Sequence, residues 1–191
     1  MENEAKINEI KNTLKQILDA TRYAHTIAVC ETAVTLAKRF DADVEKAYHA
    51  AFLHDCARGL SEVELLEYCK QNNIPLDGHM QKDINPVHAL VGADMAKRQF
   101  GINDKEILDA IYHHAIGAEN MTLLDKIIFV ADATEPNRSE PDGANNDLYK
   151  ARYAAESNLD KAIAPVMRLK TRYLYGKPMH PTSAAVLQKY S

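Results

Sequence analysis

The chain carries eight histidines, at positions 25, 49, 54, 79, 88, 113, 114 and 180, and one of them stands directly before an aspartate: His54-Asp55. A single histidine is more often a surface or hydrogen-bonded core residue than a ligand. This pair differs because it follows the apolar run Ala50-Ala51-Phe52-Leu53, which belongs in a core. A buried carboxylate beside a buried imidazole is costly unless each is paired or coordinated. One divalent cation satisfies both groups at once. The same reasoning applies to Asp132, which closes the apolar stretch Ile127-Ile128-Phe129-Val130-Ala131. His25 shares a helical face with Val29, Thr32 and Leu36. His25, His54, Asp55 and Asp132 are therefore able to converge as a shell of two histidines and two carboxylates, although spacing alone does not prove it.

Helices must do the positioning, because the 3.6-residue period recurs through most of the sequence. Ile7, Ile10, Leu14, Ile17 and Leu18 form one apolar stripe, and His25, Ala28, Val29, Thr32, Leu36 and Phe40 the next. A third helix is expected from about Asp43 to Ala57, ending near Gly59, where glycine tolerates a left-handed backbone. Ser61-x-x-Glu64 reads as a capping box for a fourth helix closed by Pro75. Asn85-Pro86 opens a fifth, with His88 in its first turn and its end at Phe100-Gly101. A sixth runs from Asn103 or Asp104 to His114 and stops near Gly117. A seventh starts at Thr122-x-x-Asp125 and reaches Asp132. The segment Glu135-Pro136-Asn137-Arg138-Ser139-Glu140-Pro141-Asp142-Gly143 is expected to be a functional loop. From Asp147 to Tyr175 the pattern is helical again, with a kink or break before Pro165, and a short terminal helix follows.

The fold class expected is all-α, a helical bundle, over residues 1–191 as one domain with a helical extension from about 147. With only 7 Gly and 7 Pro in 191 residues, long helices are favoured over many short strands. No apolar run approaches the ~20 residues that span a bilayer. The polar start Met1-Glu2-Asn3-Glu4 does not resemble a secretory signal, so a cytoplasmic location is expected. Cys30, Cys56 and Cys69 form no CxxC and read as small buried thiols. A net charge of −4 without a basic stripe disfavours a polymeric nucleic-acid partner but not a small phosphorylated ligand.

His25, His54-Asp55 and Asp132 resemble the H…HD…D signature of the HD superfamily of metal-dependent phosphohydrolases. The surrounding segments are more specific: Arg22-Tyr23-x-His25-Thr26, Phe52-Leu53-His54-Asp55, His88-Ala89-x-Val91-Gly92-Ala93, and Ala131-Asp132-x-x-Glu135-Pro136-Asn137-Arg138. Together they resemble the YqeK family, the symmetrical bis(5′-nucleosyl)-tetraphosphatases, over about residues 7–182. The resemblance implies an HD-domain helical bundle and two further ligands, His88 and His114. It implies a binuclear site in which Asp55 bridges, with His25, His54 and Asp132 on one ion and His88 and His114 on the other. Imidazole and carboxylate without thiolate suit iron, manganese, zinc or cobalt, and iron is the metal the resemblance favours. It further implies that a hydroxide shared by the cations, positioned by Asp55, attacks the polyphosphate bridge of diadenosine tetraphosphate to give two ADP. Relatives suggest a homodimer.

Arg22, Arg58 and Arg138 are candidate phosphate contacts, and Glu135 is a candidate for orienting a ligand histidine or binding a nucleotide group. His113 points ~100° away from His114 on a regular helix, so it cannot share that ion and is placed among candidate substrate contacts. His49, His79, His180 and Lys126 read as structural. The chain departs from the family after His114: members carry small hydroxyl residues and then Gly-Arg, where this chain has Ala115-Ile116-Gly117-Ala118. Two other functions compete: a nucleotidase or phosphodiesterase acting on a mononucleotide, and a non-catalytic nucleotide sensor.

Overall fold

The computed structural model describes residues 2–139, 146–172, 174 and 176–191, the side chains of residues 2–7 excepted. Its helices are α1 (Glu2–Ile17), α2 (Ala20–Arg39), α3 (Val44–Leu53), α4 (Glu62–Gln71), α5 (Val87–Arg98), α6 (Lys105–Ile116), α7 (Leu123–Thr134), α8 (Asp147–Ala155), α9 (Leu159–Arg172) and α10 (Pro181–Tyr190). No strand occurs among the described residues, and none of their helices is long and apolar enough to cross a membrane. The class is all-α. Glu140, Pro141, Asp142 and Gly143 of the expected loop, Tyr175, and the Ile7 side chain lie outside the described residues.

Caps set the helix starts. Asp19, Asp43 and Asp104 accept backbone N–H groups at the heads of α2, α3 and α6. Ser61 with Glu64 and Thr122 with Asp125 form full capping boxes on α4 and α7. Helix α7 is the hub, packing against α2, α3, α6, α8 and α9. Ile127, Ile128, Phe129, Val130 and Ala131 are all fully buried, so this helix is apolar around its circumference. Ile10, Leu14 and Leu18 bury beneath α2, whereas Ile17 of the expected stripe stays exposed.

Several element boundaries differ from expectation. α3 ends at Leu53, and residues 54–59 are turns joined by Cys56 N→Leu53 O, Arg58 N→Asp55 O and Leu60 N→Ala57 O hydrogen bonds. These tight bonds replace the helix expected to reach Ala57. Gly59 is not in the left-handed region; it is required by space, because a Cβ there would lie 2.0 Å from the Ile17 carbonyl oxygen. α4 stops at Gln71, four residues before Pro75, and α5 stops at Arg98. α5 begins at Val87, with Pro86 at the cap and no side-chain cap bond. The break in the C-terminal segment falls at 156–158, and α9 runs through Pro165, which is buried on its inner face.

Gly59 thus lets the α1–α2 junction press against the turn that carries Asp55. Gly59→Ala is expected to destabilise the protein by about 1–3 kcal/mol, as overpacking does. Chemical denaturation measures this, and an unchanged midpoint would contradict the close approach.

Candidate metal centre

Four helices and one turn bring the chemistry together. α2 supplies His25, the turn after α3 supplies His54 and Asp55, α5 supplies His88, α6 supplies His114, and α7 supplies Asp132. All six are buried. In His54, His88 and His114 the Nδ1 atom faces a carbonyl oxygen three residues earlier, of Ala51, Asn85 and Ile111, at 2.6, 2.5 and 2.6 Å. A carbonyl only accepts, so each Nδ1 carries a proton, and in the neutral ring Nε2 is then the nitrogen with the lone pair. His25 does the same through Nδ1 and the buried Glu135 Oε1, 3.1 Å apart.

Those Nε2 lone pairs converge on Asp55. Its Oδ2 lies 3.9 Å from His25 Nε2 and 3.6 Å from His54 Nε2. Its Oδ1 lies 3.5 Å from both His88 Nε2 and His114 Nε2. One carboxylate therefore divides two pairs of imidazoles, one pair to each oxygen. Asp132 Oδ1 joins the first pair, 3.2 Å from His25 Nε2 and 3.9 Å from His54 Nε2.

As bare protein this arrangement is unsatisfied. His54 Nε2 is buried with no hydrogen-bond partner. His88 Nε2 and His114 Nε2 face each other at 3.1 Å, and two lone pairs at that distance repel. Burial pushes the His54 imidazole down to about 4 despite Asp55 beside it, so protonation near neutral pH does not relieve the problem. Burial, with Arg58 adding to it, likewise holds His88 well below its ordinary value. Burial alone would raise Asp55, yet His54, His114 and His88 outweigh it and hold the carboxyl well below the usual range. The result is neutral His54 and His88 imidazoles beside an ionised carboxylate, and imidazole with carboxylate is a donor set for divalent cations. His25, His54 and Asp55 form one group able to hold an ion and Asp55, His88 and His114 another, with the ligand atoms of each group within 4.8 Å of one another. The residues fit two ions sharing Asp55.

Cationic side chains surround the centre. Arg22 Nη1 donates to Asp55 Oδ2 at 2.9 Å, and Arg58 Nε lies 3.6 Å from Asp55 Oδ1. Arg138 donates to Asp132 Oδ1 at 2.9 Å and lies 3.4 Å from His25 Nε2. With Lys170 they line a cavity of about 770 Å³ whose wall includes Asp55, His88, His114 and Asp132. That volume is in the range of pockets for small ligands. Ala115 and Ile116 also face it, so the segment after His114 lends the cavity apolar surface and no charge.

Two residues of this machinery carry no signal in the sequence. Arg152 of α8 donates to the carbonyls of Thr134, Glu135 and Arg138, at 3.0, 2.7 and 3.1 Å, and so pins the loop after α7. Lys170 of α9 donates to Asp132 Oδ2 at 2.6 Å. His79 and His180, read as structural, line the cavity, and His180 Nε2 pairs with Asp77 at 2.9 Å. Lys126 pairs with Asp160 at 2.7 Å. His113, placed among the candidate substrate contacts, has its Nδ1 3.0 Å from Asp125 Oδ1 and is not among the residues lining the cavity. It thereby braces the capping box of α7. Cys56, beside Asp55, is a buried thiol that burial and Asp55 push up to about 12, which leaves it inert as a nucleophile.

The HD domain model matches residues 22–137, more than half of the chain, and the chain belongs to the HD-domain family. It is 39% identical over 172 residues, 88% of each chain, to the symmetrical bis(5′-nucleosyl)-tetraphosphatase of Bacillus subtilis (strain 168). It is 37% identical over 174 residues, 90% of each chain, to the enzyme of that name from Halalkalibacterium halodurans. Its backbone matches a crystal structure from Clostridium acetobutylicum, described as a predicted HD superfamily hydrolase involved in NAD metabolism. That match has a TM-score of 0.88, with 31% identity and 96% of each chain covered. Within the HD proteins it therefore groups with these YqeK-like tetraphosphatases.

Two outcomes follow from this geometry. Asp55→Ala is expected to lose both metal equivalents by elemental analysis, and two full equivalents in that variant would contradict a shared ligand. His113→Ala is expected to keep hydrolytic activity near that of the unchanged protein while losing about 1 kcal/mol of stability with its hydrogen bond. A selective rise in KM would return His113 to the substrate.

Proposed function

We propose that the protein hydrolyses dinucleoside polyphosphates symmetrically, converting diadenosine tetraphosphate and water into two ADP. The observation that carries this reading is the division of the Asp55 carboxylate between two imidazole pairs at the wall of a cation-lined cavity. Similar proteins named as symmetrical tetraphosphatases support the choice of substrate.

In this reading His25, His54 and Asp132 would hold one divalent ion, His88 and His114 would hold the other, and Asp55 would serve both. Such a pair of ions supplies Lewis acidity and an activated water to a phosphoryl centre. Iron is the metal we assign, and the same donors accommodate manganese, cobalt or zinc. The protein's own groups do the remaining work. Arg22, Arg58 and Arg138 neutralise the polyphosphate and hold it in line. Guanidinium forks suit that task because they can bond two phosphate oxygens at once. Glu135 accepts from His25 Nδ1 and keeps Nε2 turned to the centre. Arg152 keeps Glu135 and Arg138 in register. The leaving ADP is a stable anion, so little proton donation is required of the chain.

The family resemblance and composition carry the wider assignment: one HD domain with a helical extension from about residue 147, acting in the cytoplasm as a homodimer on a small nucleotide. A polymeric nucleic acid is not its partner.

Product analysis tests the reaction. Metal-loaded protein under reducing conditions is expected to convert diadenosine tetraphosphate into ADP alone. AMP plus ATP would sink the symmetrical assignment. Binding of two metals without hydrolysis of any nucleotide would replace it with a sensor.

A further inference from the structure

The α8–α9 hairpin lies beyond the residues that match the HD domain model, yet it reaches into the centre. Asp147 at the start of α8 is buried and pairs with Arg168 and Arg172 of α9, at 3.0 and 2.9 Å, which fixes the hairpin's internal register. From α9, Lys170 extends to Asp132. Its ammonium lies 2.6 Å from Oδ2 and 5.0 Å from the centroid of the Phe129 ring, which is itself fully buried. A carboxylate and an aromatic face both attract an ammonium and favour this placement.

The two oxygens of Asp132 are thereby made unequal. Oδ1 faces His25 Nε2 and His54 Nε2, the donor side of the centre, and accepts from Arg138 of the loop after α7 at 2.9 Å. Oδ2 faces Lys170. The field of Lys170 also leads the influences that overcome burial and hold Asp132 well below the usual carboxylate range. We propose that Lys170 is a positioning residue that occupies the outer oxygen of Asp132, so that the carboxylate offers a cation only Oδ1. A carboxylate free on both oxygens can chelate an ion through both and fill a coordination position that water or a phosphate oxygen needs. Lys170 gives up some metal affinity, since its charge repels the ion, and keeps that position open.

The proposal rests on the reading of this centre as a hydrolytic metal site, so its test separates the role of Lys170 from the substrate assignment. Cobalt(II) is the probe, because its visible absorption weakens as coordination number rises, and no substrate is needed. Lys170→Met, close in shape and without charge, is expected to bind cobalt at least as tightly as the unchanged protein but with weaker visible absorption. Its kcat for diadenosine tetraphosphate is expected to fall about 10–100-fold, the usual effect of losing a group that orients a ligand. KM should stay within about threefold, as expected when a catalytic-step interaction rather than uniform binding is removed. Lys170→Arg is expected to restore the spectrum and most of kcat.

Folding is checked by circular dichroism, and Lys170→Ala is read in the same way if the methionine variant does not fold. Loss of cobalt from the folded neutral variants, or an unchanged spectrum with unchanged kcat, would overturn the proposal. So would a large rise in KM at constant kcat, which would make Lys170 a substrate contact. If the spectrum shifts as expected while no protein form hydrolyses diadenosine tetraphosphate, Lys170 keeps its role and the substrate assignment fails.

Discussion

A single buried carboxylate sets the terms for the rest of the molecule. Asp55 is ionised inside the protein and faces neutral imidazole lone pairs on both of its oxygens. Neither the lone pairs nor the carboxylate can satisfy the other without a cation between them. Arg22 at 2.9 Å compensates one oxygen in part, from the cavity side. Buried charge of this kind persists only where a dense shell of partners holds it. Most of the helical architecture supplies that shell.

The turn after α3 is the device that makes the centre possible. On a regular helix, adjacent residues diverge by about 100° and His54 and Asp55 could not aim at one point. The tight bonds from Cys56, Arg58 and Leu60 fold the chain so that both side chains enter the same cluster. Gly59 then allows the α1–α2 junction to close over that turn. The imidazoles are aimed from behind by carbonyls of their own chain segments, and His25 by Glu135. Orientation is thus written into local backbone, while convergence depends on how α2, α5, α6 and α7 pack.

That division explains what the sequence makes legible. His54-Asp55 and Asp132 stand out because apolar runs precede them, and burial makes an unpartnered carboxylate costly. The capping boxes at Ser61 and Thr122 are local, and they lie where the pattern places them. His88 and His114 are different: nothing in their spacing marks them as ligands, and only resemblance to a family singles them out. Lys170 and Arg152 leave no mark because each acts through tertiary contact. Lys170 meets Asp132 across 38 positions of sequence, and Arg152 meets backbone carbonyls, which have no residue signature. The contact of His113 is equally non-local, since its partner Asp125 is chosen by the packing of α6 on α7. Pro165 is a related case: the core holds α9 continuous through a residue that ordinarily interrupts a helix.

The centre's chemistry turns on whether one carboxylate serves two ions. Anomalous diffraction from crystals of the metal-loaded protein, collected at the absorption edge of the bound metal, addresses this most directly. Two peaks about 3.5–4 Å apart are expected, the spacing of paired catalytic ions, one beside each oxygen of Asp55. A single peak, or two peaks of which one has no contact with Asp55, would contradict the shared-carboxylate centre.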